Sequence, residues 1–307
     1  MIEIRDLVFE YPSKRALFGV SVTVSAGAIA ALVGPNGAGK TTLMRCIAAL
    51  DRPYSGKVVV DGRDVTEFPR ETHAKLGFLP DFYGLYDDLT VRQSLLFSAR
   101  AHGMSVAASE AAIKKAATRV GLSDRMEDRA ATLSRGLRQR LAIGQTIVHE
   151  PKVLLLDEPA SGLDPDARRA LSRLLIELKD QGMTLIVSSH ILSELEDYSS
   201  EMIIMDEGRI VGGEAKRVGT STRVRLIIEL AAPRSDLATF LNAQTGVENV
   251  EANETSATLS LASAAQDRHS LLKALMAAGF EVCAFAPSKM RLQDVYFDEV
   301  DAKRRPQ

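Results

Sequence analysis

Two apolar rhythms alternate along the first part of the chain. Ile2 to Val8 and Val20 to Val24 carry apolar side chains at roughly every second position, the period of antiparallel strands with one covered face. Ile29 to Val33 and Val153 to Leu156 are unbroken apolar runs instead, as parallel strands covered on both faces require. Each unbroken run leads through a loop into a helical pattern, Thr41 to Leu50 after the first and Asp166 to Gln181 after the second, and this alternation predicts an α/β domain. Thr184 to Ser188 adds another buried strand, and Met202 to Asp206 with Arg209 to Val211 reads as a hairpin turning at Glu207-Gly208. From Leu89 to about residue 125 the period is helical, with Thr90 and Ser105 as N-caps and Gly103 and Gly121 as stops, so a helical insert interrupts the sheet. The α/β core ends near Gly219.

From Arg223 the order changes to strand (Val224 to Leu230), helix (Ser235 to Ala243), strand (Val247 to Glu251), strand (Ala257 to Leu261), helix (Ala265 to Ala278) and strand (Glu281 to Ala286). That succession predicts a small α+β domain of ferredoxin-like type. Two domains are therefore expected, 1–219 and an accessory 220–307, in keeping with a length of 307 residues. Lys303-Arg304-Arg305 reads as a frayed tail.

Composition narrows the choice of function. Apolar residues at 46% and charged residues at 25% are ordinary for a soluble globular chain. A formal net charge of -2 offers no general attraction for nucleic acid. The apolar runs are too short to cross a bilayer, and Met1-Ile2-Glu3-Ile4-Arg5-Asp6 alternates like a strand without the layout of a signal peptide, which places the chain in the cytosol. Cys46 and Cys283 lack partners at metal-ligand spacing and read as ordinary thiols.

Gly34-Pro35-Asn36-Gly37-Ala38-Gly39-Lys40-Thr41 fits G-x-x-x-x-G-K-[ST] and sits between an unbroken strand and a helix, where a phosphate loop works. Bare glycines let backbone N–H groups converge on phosphate oxygens, and the helix N-terminus adds partial positive charge, a segment taken to run on through Thr42. Lys40 is suited to the β- and γ-phosphates of ATP, and Thr41 to Mg²⁺. Read without that context, the segment is a glycine turn. Val153-Leu154-Leu155-Leu156-Asp157-Glu158 complements it: Asp157 is suited to hold Mg²⁺ and Glu158 to polarise water, where the plainer reading is a solvated loop. Ser161-Gly162-Leu163-Asp164 makes a turn near the same edge, with Asp164 equally suited to cap the helix that follows. His190 follows a buried strand and could donate to the γ-phosphate, although a strand-end histidine taken alone is more often structural. His73, His102, His149 and His269 read as surface or cap residues.

Leu133-Ser134-Arg135-Gly136-Leu137-Arg138-Gln139-Arg140 precedes the acidic strand. With the phosphate loop, Asp157-Glu158, Ser161 to Asp164 and His190 it completes an ordered set that resembles the ABC ATPase family over residues 1 to 219. The resemblance implies a P-loop NTPase core: a mixed sheet with flanking helices, an antiparallel N-terminal subdomain and the helical insert. It further implies that Ser134 and Gly136 touch the γ-phosphate bound by a second subunit, a role compatible with Ser134 as a helix cap. Tyr11, otherwise a turn residue beside Pro12, matches the family's adenine-stacking aromatic.

Two departures stand out. Arg135 and Leu137 occupy positions where the family carries Gly and Gln. In Gly77-Phe78-Leu79-Pro80-Asp81, Asp81 replaces the Gln that links Mg²⁺ and attacking water to the helical insert; its carboxylate can still accept from Mg²⁺-bound water, at the cost of added negative charge. Both departures, with Arg291-Leu292-Gln293-Asp294-Val295-Tyr296-Phe297, are similar to ATPase subunits of bacterial exporters, whose membrane-spanning part is a separate polypeptide. The resemblance thus implies a head-to-tail dimer closing around two Mg²⁺-ATP molecules at the cytoplasmic face of the membrane. Glu158 polarises water there, and closure drives a permease. A soluble ABC ATPase acting on ribosomes or DNA would share the site, but a long coiled-coil insertion between Lys40 and Ser134 is missing and the charge is near neutral. A ligand-sensing role for residues 223 to 307 lacks a convergent polar cluster, which leaves packing or dimer support.

Overall fold

The computed structural model describes residues 1–217, 223–262 and 265–288; Gly219, the 291–297 segment and the 303–305 tail lie outside them. The chain divides into two units, with the boundary between Lys216 and Arg217. In the first, β1 (Ile2–Tyr11) and β2 (Lys14–Val24) pair antiparallel, Ile2 opposite Val24 and Tyr11 opposite Lys14. Both outrun the expected segments, because Phe9 and Leu17 continue the buried face. β3 (Ile29–Val33) is buried at every position and delivers the chain to α1 (Lys40–Ile47). This helix stops at Ile47 rather than Leu50, since Ala49 turns left-handed at φ 55° and Leu50 N donates back to the Arg45 carbonyl. β4 (Ser55–Val60) and β5 (Arg63–Asp64) complete a first sheet of order β2-β1-β4-β5.

α2 (Pro69–His73) leads into β6 (Leu76–Leu79). The insert follows: α3 (Val91–Ala101) starts at a capping box of Thr90 with Gln93, and α4 (Val106–Arg119) at Ser105, each cap satisfying N–H groups that the first helical turn leaves unpaired. α5 (Arg135–Ile147) precedes β7 (Val153–Leu156), which is again buried throughout. α6 (Pro165–Asp180), β8 (Thr184–Ser189), α7 (Leu192–Leu195), β9 (Glu201–Asp206) and β10 (Arg209–Arg217) finish the unit. Glu207 and Gly208 both take positive φ, 48° and 74°, as a two-residue hairpin turn demands.

The second sheet runs β10-β9-β3-β8-β7-β6, with β9, β3, β8, β7 and β6 parallel. Its register decides where the chemistry lies. Val33 stands beside Ser189, and Leu156 beside Leu79 and Val187, so the chain leaves β3, β6, β7 and β8 along one edge. Gly34, Asp81, Asp157 and His190 follow those ends, in the crevice where open α/β sheets take ligands. Leu43, Met44 and Ile47 of α1 join Leu32, Leu155 and Ile186 in a core shared with Ile2 and Leu17 of the first sheet. Each such side chain contributes about 1.5–3 kcal/mol on burial. That core holds the loop before α1 in place.

The second unit comprises β11 (Arg223–Leu230), α8 (Leu237–Asn242), β12 (Val247–Ala252), β13 (Ser256–Ala262), α9 (Ala265–Ala277) and β14 (Val282–Ser288). The strands pair antiparallel in the order β12-β13-β11-β14, the ferredoxin-like arrangement, over a core that includes Leu226, Ile228, Leu241, Leu259 and Leu275. Among the described residues no helix is long and apolar enough to cross a membrane.

Candidate nucleotide site

Gly34 opens the loop at a point with no room for a side chain: a Cβ there would lie 2.2 Å from the Met205 carbonyl oxygen. Gly39 closes it at φ 101°, a conformation that favours glycine, and so starts α1 with its N–H groups facing the loop. Lys40 is 7% exposed; its Nζ donates to the Gly34 carbonyl at 2.7 Å and the Pro35 carbonyl at 3.4 Å, and lies 3.7 Å from Glu158 Oε1. Thr41 Oγ1 donates to Asp157 Oδ2 at 2.6 Å, and Asp157, only 2% exposed, also accepts from Ser188 Oγ at 2.5 Å.

Glu158 takes a left-handed φ of 49°. Such backbone costs about 1–3 kcal/mol and persists where surrounding contacts impose it; here Glu158 N donates to Ser188 Oγ at 2.9 Å. The carboxylate thereby meets His190, whose Nδ1 stands 2.8 Å from Glu158 Oε2. Asp81 joins this acidic edge. Desolvation in the cavity wall, and then the charges of Asp157 and Glu158, raise its carboxyl above the ordinary carboxylate range against the opposing pull of His190. Two residues on, Tyr83 Oη donates to Gln139 Oε1 of α5 at 2.5 Å, and burial pushes the phenol up.

Asn36 to Thr42, Tyr11, Asp81 and Glu158 line one cavity of about 750 Å³. Tyr11 Oη lies 3.2 Å from Thr42 Oγ1 and its ring meets Phe9 edge-on. Gly34, Pro35, Asp157 and His190 back the cavity rather than line it, acting through Lys40, Thr41 and Glu158. Ser134 and Gly136 belong to neither group: Ser134 caps α5, accepting from Leu137 N at 3.4 Å. Asp164 caps α6, accepting from Ala167 N at 2.8 Å. Sequence reasoning missed Arg15, Phe18 and Arg209, which also line the cavity, the Arg209 guanidinium 5.0 Å from the centre of the Phe18 ring. A basic residue directly after the Glu207-Gly208 turn was the available signal.

Thr41, Asp157 and Asp81 offer oxygen donors alone, the set that suits a hard divalent ion. Among the described residues no group of three or more His, Cys, Asp and Glu side chains is placed to hold a metal ion by itself.

Of the histidines read as surface or cap residues, His269 is exposed and His102 caps α3, but His149 needs correction. It is half-buried, its ring stacked on His102 with centroids 3.7 Å apart, and burial followed by the proximity of His102 pushes it down to about 4. Both line a second cavity of about 380 Å³ with His73, whose Nε2 lies 2.8 Å from the Ala48 carbonyl oxygen. Cys46 is buried, with its thiol pushed up to about 12 by desolvation, and Cys283 is exposed.

Residues 17–161 match the family described as ABC transporter. The chain is 32% identical to Nod factor export ATP-binding protein I of Burkholderia lata, over 78% of this chain and 81% of that protein. It is 33% identical to ABC transporter ATP-binding protein NatA of Bacillus subtilis, over 69% of this chain and 88% of that one. A solved structure of an ATP-binding subunit of an ABC transporter superposes with a TM-score of 0.61 at 31% identity, covering 69% of this chain and 88% of that chain.

Proposed function

This chain belongs to the ABC transporter family as an ATP-binding subunit, and from that premise we propose that it hydrolyses ATP with Mg²⁺ as a head-to-tail dimer at the cytoplasmic face of the membrane. Dimer closure drives export through a separately encoded permease. Residues 1–219 form the ATP-binding domain and 220–307 an accessory domain. The observation that carries the reading is Glu158, which lines the loop cavity with Lys40 3.7 Å away and is met from behind by His190.

Backbone N–H groups of Asn36 to Thr42 cradle the phosphates, and Lys40 exchanges the Gly34 carbonyl for phosphate oxygens. Tyr11 stacks on the base, a contact worth about 1–3 kcal/mol by analogy with other base–aromatic pairs. Glu158 polarises the attacking water for in-line displacement, and His190 holds that carboxylate in place through Nδ1. Thr41, Asp157 and, through water, Asp81 would hold Mg²⁺, which when bound neutralises charge on the transferred phosphoryl group. Ser134 and Gly136, standing outside their own subunit's cavity, complete the partner's site. The relative in Burkholderia lata is named for export and that in Bacillus subtilis for ABC transport, which supports transport over a ribosomal or DNA-linked role.

The test is Glu158→Gln in the full chain. ATP binding should persist, closed dimers should accumulate and turnover should fall about 10²-fold or more. Undiminished hydrolysis would remove Glu158 from the mechanism. Purification from detergent-solubilised membranes should bring down a multispanning partner; ribosomes or DNA in its place would overturn the transport reading.

A further inference from the structure

The turn Ser161-Gly162-Leu163-Asp164 is gripped from two sides by arginines that the phosphate chemistry does not use. Arg135, the first residue of α5, donates Nη2 to the Ser161 carbonyl at 2.8 Å. Its guanidinium lies against the bare Cα of Gly162: a Cβ there would fall 2.2 Å from Nη2 and 2.3 Å from Cζ, at a φ of 66°. Arg168 of α6 donates to the Leu163 carbonyl at 3.3 Å and pairs with Glu194 Oε1 at 3.3 Å. Glu194 is only 5% exposed, and its second oxygen accepts from Ser189 Oγ at 2.9 Å. Ser189 Oγ accepts in turn from Ile191 N at 3.0 Å, so the contacts reach both chain neighbours of His190.

A buried carboxylate is tolerated only while its partners stay in place. Displacing Leu163 therefore disturbs Arg168, and through Glu194 it disturbs the segment that carries His190. At its other end the turn is tied to the residue beside Ser134. The path thus joins the helix start assigned to the partner's phosphate with the hydrolytic pair of its own subunit.

We propose that Arg135 and Arg168 are positioning residues that fix the 161–164 turn between Ser134 and the His190–Glu158 pair, so that both half-sites of one subunit are aligned by one bracket. The inference rests on the hydrolytic reading of Ser134, Glu158 and His190 given above.

Arg135→Gly, Arg135→Lys and Glu194→Gln in the full chain test it, through steady-state kinetics with ATP and amide hydrogen exchange. Arg135→Gly should lower kcat about tenfold or more with KM nearly unchanged, since small misplacements near reacting groups are costly in rate. Exchange should quicken over 160–165 and over 189–195 but not over 34–41, and Arg135→Lys should restore most of both effects. Glu194→Gln should quicken exchange over the same two segments. The proposal fails if loosening after Arg135→Gly does not reach 189–195, if KM and kcat worsen together, or if Arg135→Lys restores nothing. A wild-type chain without ATPase activity would instead retract the hydrolytic reading, while the exchange data would still decide whether the bracket exists.

Discussion

Replacing His149 by Phe keeps a flat ring against His102 and removes the group that acid must charge. The two rings stand 3.7 Å apart and 12° from parallel. Nε2 of His149 is 3.3 Å from the Leu76 carbonyl oxygen, and Nδ1 is buried without a hydrogen-bond partner among the described residues. Charging this imidazole would bury a cation beside another histidine, which is why burial, and then His102, push it from 6.5 down to about 4. The native pKa thus lies below the unfolded one. Between the two values the unfolded chain binds more protons, so stability falls as pH drops through that window and is fully present above it. At 1.36 kcal/mol per pKa unit, lowering pH from 7 to 5 removes about 2 kcal/mol through this residue, and reaching pH 4 removes about 3 kcal/mol. His149→Phe should lose that much less over the same range, whatever it does to stability at pH 7 by giving up the Leu76 contact. Urea unfolding at both pH values, with exchange of the β6 and α5 amides to single out the first unit, measures the difference. Magnetic-resonance titration of the ring reads the pKa directly. Equal acid sensitivity of the two proteins to within about 0.5 kcal/mol, or a ring that titrates near 6.5, would refute the reasoning.

Asp157→Asn should weaken nucleotide binding about tenfold or more with Mg²⁺ present and change it little in a chelator, because it strips charge from the ion's position while leaving the loop intact; equal losses in both conditions would detach Asp157 from the metal. Gly136→Ala places a Cβ 2.8 Å from the Ala167 Cβ and must part α5 from α6, an overpacking cost of about 1–3 kcal/mol that thermal unfolding should register as a lower midpoint. An unmoved midpoint would mean that the two helices yield freely there. Hydrolysis per subunit should rise with protein concentration through the dimerisation range, and a constant rate would contradict a site completed by Ser134 and Gly136 of a second copy.

What the sequence discloses depends on where a residue's partner lies. Thr90, Ser105, Ser134 and Asp164 bond to N–H groups three residues ahead, so spacing alone locates them. The unbroken runs of β3 and β7 announce double-sided burial, and the loop from Gly34 works through its own backbone, so fold class and phosphate loop are legible together. His149 and His102, Arg209 and Phe18, and Arg135 and Ser161 meet only because strand order and helix packing bring them together. Apart from the turn that precedes Arg209, each is an ordinary residue type in an ordinary local pattern, and no period or spacing marks its partner. The helix end at Ile47 escapes notice for a related reason: Ala49 goes left-handed where an alanine otherwise propagates helix, and the Arg45–Asp51 pair at 2.6 Å spans that bend. The same distinction bears on the two departures from the family pattern. Asp81 changes a group that faces the cavity, so its chemistry can be argued from residue type. Arg135 sits where the family carries glycine, and type alone suggests only a surface cation. Its consequence follows from Gly162, whose missing side chain makes room for the guanidinium, and from Ser161, whose carbonyl receives it. A substitution that looks like a loss in a signature segment thus gains a contact elsewhere in the same subunit, and its effect should be sought in the alignment of His190 rather than in the affinity of the loop for ATP.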